Sequence, residues 1–124
     1  MLRVLLALTF ASTIIMSSFG KKVTLKYFPI EAAAEKVRLA LHVSGVAFED
    51  IRVPFGEWQE MKATMPNGQL PVMTIDDGEM ITQSGAMARW AARQGKGELY
   101  PVDDVEKCLL IDMLIGYFED DSRD

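Results

Sequence analysis

From Lys21 onward, apolar and polar residues recur with two periods that take turns along the chain. Val23 to Phe28 is β-prone, with apolar residues at 23 and 25, and stops at Pro29, which predicts a first strand. Ile30, Ala34, Val37 and Leu41 then fall three or four residues apart, while Glu31, Glu35, Lys36 and Arg38 take the other faces. That spacing predicts an amphipathic helix ended at Gly45. Phe48 to Val53 alternates with period two and predicts a second strand, ended by Pro54. Glu57 to Met65 predicts a short helix, broken by the turn signal Pro66-Asn67-Gly68. Leu70 to Ile75 is a third strand, Asp76-Asp77-Gly78 a hairpin turn, and Glu79-Met80-Ile81 a short fourth strand. Ser84 to Gln94 is helical again, with Met87, Trp90 and Ala91 on one face. Past Tyr100-Pro101, Asp103 with Glu106 three residues on predicts the capped start of a last helix.

The order β-α-β-α-β-β-α fixes the fold class. Strand, helix, strand implies a parallel pair with a right-handed crossover, and the Asp-Gly hairpin adds an antiparallel edge. The expected architecture is an α/β, thioredoxin-like domain with a mixed four-stranded sheet and helices on its faces. Cys108, Leu109, Ile111, Met113, Leu114, Ile115, Tyr117 and Phe118 make the last helix apolar almost all round, which suits burial among partners. It reads as the first helix of an incomplete all-α domain. The expected division is therefore 1–20, 21–98 and 99–124.

The first twenty residues stand apart. They hold one cation, Arg3, no acid, a mostly apolar stretch from Val4 to Met16, and small residues at Ser18 and Gly20. These are the parts of a secretory signal peptide, which would place the protein outside the cell or in the endoplasmic reticulum. An uncleaved extension on a cytoplasmic protein is the alternative. The apolar stretch falls short of the ~20 residues that span a bilayer, so no stable membrane span is expected. Composition is that of an ordinary globular chain: 124 residues, 49% hydrophobic, 25% charged. The net charge of -5 argues against a nucleic-acid partner, because neutralising phosphates needs a basic face. One cysteine, Cys108, and one histidine, His42, exclude a disulfide framework, a CxxC pair and a cysteine-rich metal site. No metal is expected, and Cys108 is expected to sit in the core.

Four motifs carry a resemblance. Leu25-Lys26-Tyr27-Phe28, then Trp58 with Lys62, then Gly68 to Val72, then Gln83-Ser84 opening a helix through Trp90 resemble the glutathione-binding N-terminal domain of the cytosolic glutathione S-transferases. The sigma-like class, which includes the haematopoietic prostaglandin D synthases, is the nearest in pattern. The resemblance runs from about Lys22 to the chain end. It implies that Tyr27 donates its hydroxyl to the glutathione sulfur and that a cis-proline at Pro71, with Gln69 and Leu70, pairs backbone groups with the cysteinyl part. It further implies that Gln83 and Ser84 hold the γ-glutamyl end, and that Trp58 and Lys62 hold the glycyl carboxylate. Asp112 matches, within a residue of register, the acid that the family donates across a homodimer. Glutathione is then a co-substrate and a small electrophile the second partner.

Each position also fits a plainer role. Tyr27 suits a half-buried strand tyrosine, Pro71 an edge-strand proline, Ser84 an N-cap, and Trp58 with Lys62 a packing residue and a solvated charge. Arg89 and Arg93 are placed on a solvated or interface face. The chain departs from the sigma-like pattern where that has Arg-Gly-Arg after the first strand and this sequence has Glu31-Ala32-Ala33, removing a cation that supports the tyrosine. The leading expectation is a glutathione transferase that stabilises the thiolate for attack on an electrophile, as in detoxification. The alternative is a non-catalytic thioredoxin-like binding or interaction module. Because Cys108 lies far in sequence from the turn after the first strand, any sulfur chemistry needs a sulfur brought by the ligand.

Overall fold

The computed structural model of the chain describes residues 20–121. The leader-like segment thus lies outside the described residues, apart from Gly20. Strand β1 (Val23–Tyr27) is central in a sheet of order β2-β1-β3, between β2 (Phe48–Arg52) and β3 (Val72–Ile75). β1 runs parallel to β2, from Val23 opposite Phe48 to Tyr27 opposite Arg52, and antiparallel to β3, from Val23 opposite Ile75 to Lys26 opposite Val72. Val23, Leu25 and Tyr27 all point to one face, as a period of two requires.

Helices α1 (Ala32–Val43) and α3 (Ser84–Ala92) pack side by side over that face. Ala34, Val37 and Leu41 of α1 meet Met87, Ala88 and Ala91 of α3 and the inward residues of β1 in one buried cluster. Each fully buried aliphatic side chain there contributes about 1.5–3 kcal/mol relative to exposure. α1 ends as the sequence predicts: Gly45 takes φ 72° and donates to the His42 carbonyl, and Val46 donates to that of Leu41.

The sheet has three strands where four are expected. The hairpin turn forms, with Asp76 and Asp77 both left-handed and Gly78 N–H bonded to the Ile75 carbonyl at 3.0 Å. Beyond it only Ile81 pairs, exchanging two backbone bonds with Met73. The returning segment turns into α3 two residues later, too soon for a ladder. The helix expected over Glu57 to Met65 is also broken up, into a 3-10 turn (Phe55–Glu57), α2 (Trp58–Met61) and a 3-10 turn (Lys62–Thr64). None of the residues of these three pieces is buried, whereas Met65 after them is buried, and it is extended because Pro66 follows it.

Helix α4 (Val105–Asp121) is capped by Asp104, whose carboxylate accepts from the Lys107 N–H at 3.0 Å; the predicted cap, Asp103, lies one residue early. No residue on α4 is buried, and Leu109, Leu110, Met113, Leu114, Tyr117 and Phe118 are exposed. Cys108 is half-buried, not core, and its thiol donates to the Pro101 carbonyl. No helix among the described residues is long and apolar enough to cross a membrane.

Candidate functional site

The pairing registers bring three distant segments to one end of the sheet. One step beyond Lys26 and Val72, the β1–β3 register sets Pro71 beside Tyr27. The Met73–Ile81 bridge, extended in the same sense, brings Gln83 toward Pro71. On the other side, the Val53 N–H donates to the Tyr27 carbonyl at 2.8 Å, and the chain continues through Pro54 to Trp58. Tyr27, Pro71 and Gln83 therefore line one rim, with Trp58 beyond one flank and Ser84 beyond the other.

Tyr27 is 7% exposed. Its ring lies 5.4 Å from that of Phe28 and 5.8 Å from the guanidinium carbon of Arg38. Its hydroxyl makes no hydrogen bond to another described residue, yet no buried side-chain nitrogen or oxygen among these residues lacks a partner. The little exposure that Tyr27 keeps thus reaches its hydroxyl, a donor open to a ligand.

The Leu70–Pro71 peptide bond is cis. Gln69 is exposed, Pro71 is buried, and Leu70 lies just outside the β3 ladder. Lys62 packs over the Pro66–Gly68 turn, where a Cβ added to Gly68 would come within 3.3 Å of Lys62 Cε. Trp58 stands one helical turn before Lys62, whose N–H bonds the Trp58 carbonyl. Trp58 and Lys62 are thus set four residues apart, at the start of α2 and of the 3-10 turn that follows it.

Gln83 holds φ 73° and ψ 99°, a conformation that costs a non-glycine residue about 1–3 kcal/mol and collects at functional sites. It is the residue before α3, so Ser84 is the first helical residue and not the cap. The first intrahelical bond runs from the Met87 N–H to the Gln83 carbonyl. The N–H groups of Ser84, Gly85 and Ala86 precede it; the Gln83 side chain does not cap them, and the Glu119 carboxylate lies close against Gly85. Donors at the positive end of a helix are suited to a carboxylate.

Comparison with known proteins decides the family. A family profile described as "Glutathione S-transferase, N-terminal domain" matches residues 27–98. The chain belongs to the glutathione S-transferase family. A probable glutathione S-transferase 7 of Caenorhabditis elegans is 47% identical over 68 residues, 55% of this chain and 32% of the relative. Among solved structures, a Nu-class transferase of Haemonchus contortus superposes with TM-score 0.68 at 34% identity, covering 81% of this chain and 47% of the other. A prostaglandin synthase D of Nilaparvata lugens gives TM-score 0.70 at 34% identity, covering 80% and 48%. This transferase-family chain spans a third to a half of the length of these proteins.

In this member of the glutathione S-transferase family, Asp112 is tied within its own chain. Its carboxylate accepts from Arg89 Nε at 2.6 Å and from the Tyr100 hydroxyl at 3.0 Å, and Arg93 lies 4.8 Å over the Tyr100 ring. The Arg89 contact holds the Asp112 carboxyl below its ordinary value, while burial first, and then Asp112, raises the Tyr100 phenol. A carboxyl depressed by folding contributes stability that is present above its unfolded value of about 4 and lost as pH falls through the folded one. Asp112→Asn is expected to flatten the fall in melting temperature between about pH 5 and about pH 2, read by thermal melts of both proteins. Arg89 thus sits at the α3–α4 interface, while Arg93 is exposed and covers Tyr100.

Arg38 is the residue that sequence reasoning misplaced. Expected on a polar face, it is 6% exposed. Its guanidinium donates to the Ile30 carbonyl at 2.7 Å, the Phe28 carbonyl at 3.4 Å, Asp50 at 3.1 Å and Glu35 at 3.3 Å. It braces the turn directly after Tyr27, in the part of the fold where the Glu31-Ala32-Ala33 segment lacks the family's cation. The signal was present: position 38 is four from Ala34 and one from Val37, on the apolar stripe. No group of three or more His, Cys, Asp or Glu among the described residues is arranged to hold a metal.

Proposed function

We propose that the chain binds glutathione along its sheet rim and stabilises the bound thiolate for conjugation to an electrophile. The observation that carries this is the Tyr27 hydroxyl, unpartnered and open, in line with the Leu70–Pro71 segment and the start of α3. Glutathione offers a carboxylate at each end and a thiol between. The α3 N-terminus with Gln83 and Ser84 takes the γ-glutamyl end, the Leu70 backbone pairs with the cysteinyl part, and Trp58 with Lys62 takes the glycyl carboxylate. A thiol of pKa about 8.5 is mostly protonated at neutral pH, so a hydrogen bond from Tyr27 favours the nucleophilic form. The sulfur then bonds to the electrophilic carbon, the leaving group departs with its electron pair, and the thiol proton passes to water.

A homodimer and a secretory route are parts of the same reading. The exposed apolar face of α4 supports the first and the leader-like residues 1–20 the second, which N-terminal sequencing decides. Retention of the folded chain on immobilised glutathione tests binding. Retention is expected for the wild type and loss for the Gln83→Ala, Ser84→Ala double variant; a folded wild type that flows through would refute the proposal.

A further inference from the structure

Among the described residues one charged side chain is buried, Arg38. All three of its guanidinium nitrogens are in use. Nε donates to Asp50 at 3.1 Å, Nη1 to the Ile30 carbonyl at 2.7 Å and to Glu35 at 3.3 Å, and Nη2 to the Phe28 carbonyl at 3.4 Å. Asp50 stands opposite Leu25 in the β1–β2 register, so the planar group is pinned to the sheet through one edge and to the turn after β1 through the other. The two carbonyls flank Pro29, whose nitrogen has no hydrogen to donate within that turn. The guanidinium carbon also lies 5.8 Å over the centre of the Tyr27 ring, within the range of a cation–π contact. Asp50 and Glu35 face the guanidinium, and Arg52 shares Asp50. The charge of Arg38 is thus matched locally, and what it delivers to Tyr27 is place more than field.

A hydroxyl that stabilises a thiolate has to meet the sulfur at hydrogen-bond distance, and a displacement of about 1 Å costs such a group up to about a hundredfold in rate. Tyr27 is the last residue of β1. The Val53 N–H fixes its carbonyl from the β2 side at 2.8 Å, which leaves the turn after it as the other determinant of where the ring stands. On the reading of Tyr27 as the donor to the glutathione sulfur, we propose that Arg38 is its positioning residue: the guanidinium locks the Phe28–Ile30 turn and braces the Tyr27 ring, so that the phenol oxygen is held on the rim. Arg38 does this from helix α1, through a fork of nitrogens that reaches both carbonyls at once. It is buried and is not itself a contact for glutathione. The groups read as holding the two carboxylates of glutathione, Gln83 with Ser84 and Trp58 with Lys62, do not depend on it. Its loss therefore falls on thiolate formation and turnover, and not on binding.

A double-variant cycle with Tyr27→Phe tests it, read by conjugation of 1-chloro-2,4-dinitrobenzene and by the ultraviolet absorbance of bound glutathione thiolate as pH is raised. Arg38→Met is expected to lower kcat/KM about tenfold, chiefly in kcat, with retention on immobilised glutathione kept. The thiolate is expected to appear only at about tenfold lower proton concentration. In the Tyr27→Phe background the same substitution is expected to change neither quantity, because the hydroxyl that it displaces is already gone. Arg38→Lys keeps the buried charge and the fold, should methionine lose it, but gives up the fork. It is expected to cost about threefold with Tyr27 present and nothing in the Tyr27→Phe background. Wild-type values in Arg38→Lys would assign the effect to charge and overturn the proposal. So would equal losses in the two backgrounds, the mark of a merely structural role. If Tyr27→Phe moves the thiolate and neither arginine variant does, the positioning role alone is refuted. If Tyr27→Phe itself leaves the thiolate where it was, the reading of Tyr27 fails and the role of Arg38 fails with it.

Discussion

Tyr27→Phe is expected to lower kcat/KM for glutathione conjugation about ten- to a hundredfold, the rate equivalent of a hydrogen bond to a charged acceptor worth about 1.5–3 kcal/mol. The change removes one oxygen and little else. The ring contacts with Phe28 and Arg38 persist, and the bond from the Val53 N–H goes to the Tyr27 backbone, which is untouched. The hydroxyl makes no bond to another described residue, so its loss leaves no partner stranded. The urea midpoint of the variant is therefore expected to match that of the wild type, and retention on glutathione to persist. The ultraviolet absorbance of bound thiolate, followed against pH, is expected to appear at higher pH in the variant. Conjugation unaffected by the change would show that Tyr27 is not the group that stabilises the thiolate.

Arg38→Met carries the largest expected cost in stability, about 3 kcal/mol. Against a total of about 5–15 kcal/mol for a domain, that is a large share. Methionine replaces much of the stem, so the loss comes from the guanidinium. The carbonyls of Phe28 and Ile30 lose their side-chain donor in a half-closed turn. Asp50 keeps a bond from Arg52 at 3.0 Å, and Glu35 is near the surface, which holds the cost to the lower part of the range for a broken buried ion pair. A fall in the urea midpoint at constant slope would measure it. Arg38→Lys, which keeps the charge but presents a single nitrogen, is expected to fall between. A variant as stable as the wild type would show that water replaces the guanidinium freely, contrary to its burial.

The elements with a full period of pattern behind them were legible before any coordinates. β1, β2, α1 and α3 sit within a residue or two of their predicted bounds because alternation and the stripe Ala34, Val37, Leu41 each specify a buried face. The Asp76-Asp77-Gly78 turn was legible too, since both central residues accept left-handed backbone. How far its second arm pairs was not, because that depends on where α3 must begin. At the site, the order of Tyr27, Pro71 and Gln83 along the chain says nothing of their alignment, which only the two registers reveal. Arg38 was misread because its charge was given more weight than its place on the stripe. The strain at Gln83 carries no compositional mark, as glutamine is not a residue that announces a positive φ.

The rim that joins Tyr27, Pro71 and Gln83 draws on the β1–β3 pairing, on the Met73–Ile81 bridge and on the start of a core helix. A ligand lying along it bridges positions separated by most of the domain, as a staple would. Its binding free energy is felt by the folded chain as a whole, since no single loop can open without releasing it. Occupancy of the rim and cohesion of the domain become one equilibrium.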